Sequence, residues 1–189
     1  MSVGQILDTL REEQIAERTM VIFSSDNGPH REGGNNPNYF DSNGPLRGTK
    51  RDLYEGGIRI PTIARWPGRI KSGTTTDHIS AFWDFLPTAA EAAGLEPPQN
   101  TDGISYLPAL LGKEQRSHEY LYWELGRQTA VRCGSFKAIQ TKKQGPWALY
   151  DLDKDISETS DVVEEHPDII ATMMHYADEA HTDVVEGVF

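Results

Sequence analysis

The stretch Thr19-Met20-Val21-Ile22-Phe23-Ser24-Ser25-Asp26-Asn27-Gly28-Pro29 decides the fold class. Its first five residues are apolar or β-branched without alternation, the pattern of a strand buried on both faces of a parallel sheet. A polar, glycine-containing segment ends the run. Ahead of it, Val3, Ile6, Leu7 and Leu10 recur at the spacing of one helix face. Ser2 and Gln5 fit a capping box at the start of that helix, which the spacing predicts over residues 3–17. Helix, buried strand and polar loop are the grammar of an α/β domain. Ligands in such domains gather beyond the carboxyl ends of strands, so Asp26 and Asn27 stand where a ligand is expected.

Working outward, residues 26–57 hold seven glycines and five asparagines with little periodicity, a segment far longer than a plain connection and therefore either disordered or functional. Ile58 to Trp66 reads as a second strand, with Pro61 marking an edge, a bulge or a strand end. Trp83 to Ala93 reads as a helix with Pro87 in its first turn and Gly94 as its left-handed stop. A short helix around Ser105 to Leu111, closed by Gly112, follows. Beyond Lys113 the pattern changes to four short β-rich segments, 119–124, 128–133, 136–141 and 147–151, at the spacing of an antiparallel meander with Trp123 and Trp147 in its core. Pro167 then opens a helix carrying an apolar stripe of Ile169, Ile170, Met173, Tyr176, Ala177 and Ala180. The expected organisation is an α/β portion over residues 1–113 and a small antiparallel-sheet plus helix subdomain over residues 114–189.

The 189 residues include 18 Lys and Arg against 29 Asp and Glu, a net charge of −11. Residues 1–150 are balanced at 17 acidic and 17 basic side chains, so the excess belongs to the last 39 residues and reads as solvated surface. Such acidity argues against a general nucleic-acid binder, whose affinity comes from neutralising phosphates. Residues 46–71 run the other way, with seven basic side chains against Asp52 and Glu55, which suits a small anion. The single cysteine, Cys133, excludes an internal disulfide and says nothing of compartment. No apolar run reaches the length of a membrane span, and the start MSVGQILDTLREEQ lacks a secretory pattern. The expectation is an intracellular protein, or one whose true N-terminus lies upstream.

Asp26 and Asn27 offer adjacent carboxylate and amide oxygens, the hard ligands that Ca²⁺ or Mg²⁺ prefers, and equally an ordinary Asp-Asn-Gly turn. Two oxygens fall short of the roughly six to eight that Ca²⁺ takes. Lys50, in Gly44-Pro45-Leu46-Arg47-Gly48-Thr49-Lys50, reads either as an oxyanion-binding point charge or as a solvated base. Arg59 reads as the partner of Glu55. His30 reads as an anion contact or as an exposed loop residue. Cys133, without a neighbouring histidine or helix start, reads as a packing residue. His118, His166, His175 and His181 lack metal-ligand spacing.

These residues resemble a known family. Phe23-Ser-Ser-Asp-Asn-Gly-Pro-His30, Gly44-Pro-Leu-Arg-Gly-Thr-Lys50, Tyr54-Glu-Gly-Gly-Ile-Arg-Ile-Pro61 and Trp66-Pro-Gly68 look like the C-terminal portion of an arylsulfatase-family sulfatase of the alkaline-phosphatase superfamily. Asp84-Phe-Leu-Pro-Thr88, Ala93-Gly-Leu95, Asp102-Gly103 and Leu149-Tyr-Asp-Leu-Asp153 continue the match in order. The resemblance implies the end of an alkaline-phosphatase-like α/β sulfatase domain followed by a subdomain with a four-stranded antiparallel sheet and a C-terminal helix.

It also implies chemistry. A calcium ion is held partly by the residues matching Asp26 and Asn27, Lys50 binds the sulfate of an ester substrate, and Asp26 lies near a formylglycine nucleophile; His30, as the anion contact of the residue reading, joins Lys50 as a candidate substrate-binding residue. The formylglycine motif, Cys or Ser-x-Pro-x-Arg, does not occur: Cys133 is followed by Gly-Ser-Phe-Lys, and no serine has proline two places later. The expectation is therefore a fragment of a sulfuric ester hydrolase, with sulfated carbohydrate as a candidate substrate, inactive alone. Two alternatives stand beside it: part of a phosphate or phosphonate monoester hydrolase, and a non-catalytic sulfated-glycan-binding remnant. An open sheet edge would favour self-association. The family is often periplasmic, secreted or lysosomal, and no signal in the chain selects among these.

Overall fold

A computed structural model describes residues 2–183. The chain divides into two compact units, one of residues 1–25 and 61–118, the other of residues 26–60 and 119–189. The long loop, which the sequence reading grouped with the large domain, packs with the C-terminal sheet, and the later crossing falls at residue 118.

The first unit opens with α1 (Val3–Glu12), capped as expected: the Ser2 hydroxyl accepts from the Gln5 amide at 3.3 Å and the Gln5 side chain accepts from the Ser2 amide at 2.7 Å. It stops five residues earlier than its apolar pattern suggests. Gln14 takes φ +59°, the Gln14 N–H reaches Arg11 O at 3.1 Å and the Ile15 N–H reaches Leu10 O at 3.0 Å. That is a Schellman stop with glutamine in the place where glycine usually signals it. A single 3₁₀ turn, Ala16–Arg18, leads into β1 (Val21–Ser24).

β1 pairs antiparallel with β2 (Thr62–Arg65), in the register Val21↔Arg65 to Ser24↔Thr62. The doubly buried parallel strand expected here is corrected: Phe23 is 50% and Ile63 62% exposed. A short apolar run fixes neither the direction nor the number of its neighbours. The second strand is also shorter than expected. Pro61, lacking an N–H, stands immediately before it, and Ile58 belongs to a preceding helical turn.

α3 (Phe85–Ala92) follows a 3₁₀ turn and ends as read, with Gly94 at φ +74° and the Leu95 N–H on Ala90 O at 2.9 Å. α4 (Leu107–Leu110) is closed by Gly112 at φ +69°. Between them lies a buried polar knot. The Asp84 carboxylate accepts from the amides of Ala81 (2.7 Å) and Ile104 (2.8 Å) and meets His118 Nε2 at 2.8 Å. Thr88 Oγ1 donates to Asp84 O at 2.6 Å and accepts from the Tyr106 amide at 3.0 Å. Thr88→Val keeps the shape but orphans the buried Tyr106 N–H, so urea denaturation is expected to show a loss of about 1–3 kcal/mol.

In the second unit, β3 (Leu121–Leu125), β4 (Gln128–Cys133), β5 (Phe136–Gln140) and β6 (Ala148–Asp151) form an antiparallel sheet in sequence order. Its strand bounds follow the sequence reading closely. Alternation divides its residues between two faces. Val131, Ala138 and Leu149 pack against Met173 and Ala177 of α5 (Pro167–Ala180). Ala130, Ile139 and Tyr150 pack against Leu53, with Tyr54 and Ile58 at the margin. The sheet is thus covered by the C-terminal helix on one face and by the long loop on the other. Trp123 lies against the loop-side cluster and Trp147 against the helix-side cluster.

Candidate functional site

The loop of residues 26–60 is not extended freely over the sheet. Its last part forms a one-turn helix, α2 (Glu55–Ile58), in which Glu55, Gly56 and Gly57 are buried. Three glycines let backbone segments interlock there. A Cβ on Gly28 would stand 1.8 Å from Gly56 O, one on Gly56 would stand 2.4 Å from Gly48 O, and one on Gly57 would stand 2.0 Å from Asp52 O. The Gly28 N–H donates to Gly57 O at 2.9 Å, the Gly56 N–H to Arg47 O at 2.6 Å, and the Lys50 N–H to Pro29 O at 2.9 Å. The Asp26-Asn27-Gly28 turn and the Gly48-Thr49-Lys50 segment, separated in sequence, are thereby joined through main-chain bonds.

Around that joint lie the side chains expected to do chemistry. Asp26 is exposed and Asn27 partly buried. Lys50 Nζ meets Glu32 Oε2 at 3.1 Å, and Arg51 pairs with the other oxygen of the same carboxylate. His30 Nδ1 accepts from the Glu32 amide at 3.1 Å. The Lys50 hydrogen bond, with the charges of Lys50 and Arg51 behind it, holds the Glu32 carboxyl below the usual range. Glu32 escaped the sequence reading. The one signal available was a lone acid beside a glycine pair, facing a basic stretch.

A second, buried cluster ties the loop to the sheet. Lys137 Nζ, fully buried, lies 3.0 Å from Glu55 Oε1 and 2.9 Å from Glu158 Oε1. Glu55 Oε2 takes Arg59 at 3.4 Å, as the sequence suggested, and Arg132 at 3.5 Å. The Glu55 amide donates to Glu158 Oε2 at 2.6 Å. Arg47 lies 3.9 Å over the Tyr54 ring and donates to Glu158 O at 2.7 Å. Gln128 clamps the loop with its amide, donating to Arg51 O at 2.8 Å and accepting from the Leu53 N–H at 3.4 Å.

Calcium makes a definite demand on this geometry. Asp26 and Asn27 supply donors of the right chemistry, but among the described residues no three His, Cys, Asp or Glu side chains converge on a common metal position. The residues present do not make up a six- to eight-oxygen site. Cys133 is unpaired and partly buried, and burial, with Glu119 beside it, pushes its thiol up, opposite to an activated nucleophile. None of the helices among the described residues is long and apolar enough to cross a membrane.

The family model described as Sulfatase matches residues 1–95. The chain belongs to the sulfatase family. This sulfatase chain is 40% identical over 139 residues to the N-acetylgalactosamine-6-sulfatase of Canis lupus familiaris, an overlap of 72% of the chain and 26% of that protein. It is 42% identical over 126 residues to the steryl-sulfatase of Rattus norvegicus, covering 64% of the chain and 22% of that protein. The structure of Ps i-CgsB in complex with k-i-k-neocarrahexaose superposes with a TM-score of 0.79 at 28% identity, covering 94% of this sulfatase chain and 39% of that one. The sulfatase chain thus spans about a quarter of the length of the curated relatives it matches. The mixed α/β architecture with a four-stranded antiparallel sheet and a C-terminal helix is that of its structural neighbours.

Proposed function

We propose that this chain carries the sulfate-binding part of a sulfuric ester hydrolase acting on sulfated sugars, with Lys50 as the sulfate ligand, His30 beside it, and Asp26 and Asn27 contributing two oxygens to a calcium ion. The observation that supports the reading best is the backbone joint. The Gly28 N–H on Gly57 O and the Lys50 N–H on Pro29 O hold the main chain that carries Lys50 next to the turn that carries Asp26 and Asn27. A compact positive charge carried on backbone held in this way favours an oxyanion and the charge that develops as its ester breaks. The chain's own residues bind and orient the anion. Sugar sulfates are favoured as the substrate class because the relatives include an N-acetylgalactosamine-6-sulfatase and the neighbour holds a carrahexaose.

The chain contains no Cys or Ser-x-Pro-x-Arg, so by itself it binds sulfate without turning over an ester. Incubating the purified 189-residue protein with a chromogenic aryl sulfate is expected to release no phenol above the buffer rate. Titration with inorganic sulfate, followed at the Lys50 amide, is expected to saturate in the wild type and to weaken about tenfold or more in Lys50→Ala, the loss of a charge-assisted contact. Sulfate binding that is indifferent to Lys50→Ala would end this reading.

Glu32 competes for the same ammonium, since the Lys50–Glu32 pair must open before an anion takes that place. Glu32→Gln is therefore expected to tighten sulfate binding about two- to fivefold, the effect diminishing in high chloride as an exposed pair's does.

A further inference from the structure

The candidate site and the buried ionic cluster are built from the same loop, the first around Lys50 and Glu32, the second around Glu55. A lysine and two glutamates withdrawn from water cost more in desolvation than an apolar core of equal volume, so stability alone does not explain them. The backbone at one of the three adds a cost of its own. Glu158 sits at φ +53°, a left-handed conformation that glycine or asparagine would adopt with less strain. Such strain persists where the surroundings over-determine it.

The contacts show what is gained. Glu158 holds three groups at once: Oε2 accepts from the Glu55 N–H, its main-chain carbonyl accepts from Arg47, and Oε1 stands 2.9 Å from Lys137 Nζ as an ion-pair partner without a hydrogen bond of its own. Glu55 and Arg47 are the two points from which the site's backbone hangs. Glu55 opens the turn whose Gly57 carbonyl holds the Gly28 N–H, and the Arg47 carbonyl holds the Gly56 N–H. Gly28 follows Asp26 and Asn27 directly, and its neighbour Pro29 holds the Lys50 N–H. A continuous path of side-chain and main-chain bonds therefore runs from β5 through Lys137, Glu158 and Glu55 to the Asp26 turn and Lys50.

We infer that Glu158 and Lys137 are positioning residues for the sulfate site: with Glu55 they form an ionic lock that fixes the Glu55–Gly57 turn on the C-terminal sheet and so sets the placement of Asp26, Asn27 and Lys50. Its functional half rests on the sulfate-binding reading of Lys50. Its structural half does not. Neither residue touches the anion. Each acts through Glu55, Lys137 from β5 and Glu158 from the segment that follows β6.

The test uses the 189-residue chain with Glu158→Ala and Glu158→Gln. Gln keeps an acceptor for the Glu55 N–H, whereas Ala removes it. In Glu158→Ala, hydrogen exchange at the Gly28 and Lys50 amides is expected to quicken about tenfold or more, the loss of one buried hydrogen bond's restraint, while β4 and β5 amides keep their protection. Sulfate affinity falls with it, and Glu158→Gln restores both. Unchanged exchange at Gly28 and Lys50 in the Ala variant overturns the inference. So does loss of protection at these amides only in step with β4 and β5, which reports general destabilisation, and so does a Gln variant that behaves as Ala. If the wild type shows no Lys50-dependent sulfate binding, the functional reading fails while the exchange comparison still decides the lock.

Discussion

Lys137→Met is expected to cost about 3–5 kcal/mol of folding stability, because it leaves the Glu55 and Glu158 carboxyls buried without the cation they share. Lys137 and Glu158 are fully buried and Glu55 is 2% exposed, so water does not replace the lost partner. Arg132 and Arg59 remain on Glu55, at 3.5 and 3.4 Å, which places the loss toward the lower end of that range. Adding Glu55→Gln and Glu158→Gln to Lys137→Met removes the stranded charges and is expected to recover most of the loss, a coupling that a mutant cycle in urea reads directly. Strictly additive effects would show that the three side chains do not act as a unit.

The cluster also gives the stability a pH signature. Burial pushes the Glu55 carboxyl up, but Lys137, then Arg132 and Arg59, outweigh it and hold the group below the usual range. Its contribution is complete above the ordinary Glu value and is lost as pH falls through the depressed one. Glu158 runs the other way, since burial there outweighs Lys137 and raises the carboxyl. The native state then binds that proton more readily than the unfolded chain, and stability declines as pH rises from the ordinary value through the raised one. In Lys137→Met the deficit is accordingly larger at about pH 7 than at about pH 5, where the carboxyls more readily take up protons.

The second large effect is expected at Gly57. A methyl group there meets Asp52 O at 2.0 Å and Thr49 O at 2.6 Å, both main-chain atoms that no rotamer change moves aside. Gly57→Ala must push the Glu55–Ile58 turn, whose Gly57 carbonyl holds the Gly28 N–H, away from the Thr49–Asp52 segment, at an expected cost of about 3 kcal/mol and with loss of sulfate binding. Gly33→Ala is the control. It has open space around its added carbon and only a left-handed φ of +64° to oppose it, so it is expected to cost about 1–2 kcal/mol and leave the sulfate titration intact. Equal effects of the two substitutions on sulfate binding would show that the interlock is not what holds the site.

The C-terminal sheet was readable because each strand carries its own signal, an alternation of residues bounded by turn formers. The ends of α3 and α4 were readable for a similar reason, as Gly94 and Gly112 announce left-handed stops that the backbone adopts. The end of α1 was not, because Gln14 serves in the same conformation without the tell-tale residue. Direction and burial of β1 depended on partners that its five apolar letters do not name. Asp26, Asn27 and Lys50 stood out locally as alternatives to a turn and a solvated base, and the resemblance gave them roles. The lock was invisible, since Glu55 finds Lys137 at a separation of 82 residues and Glu158 at 103. Glu158 in particular sits in an acidic stretch that composition assigns to solvent.

The passage of the chain between its two units bears on how such a protein could be cut and recombined. The loop of residues 26–60 leaves the first unit, joins the second, and returns before the C-terminal sheet begins. The small sheet is therefore not a detachable cassette. A graft that exchanges everything after residue 118 would put a foreign sheet under the native loop, and would keep the proposed sulfate site only if it also brought residues equivalent to Lys137, Glu158 and Gln128. Module boundaries drawn along the sequence and those drawn through the folded chain differ here, and recombination that respects the second must move two separate segments together.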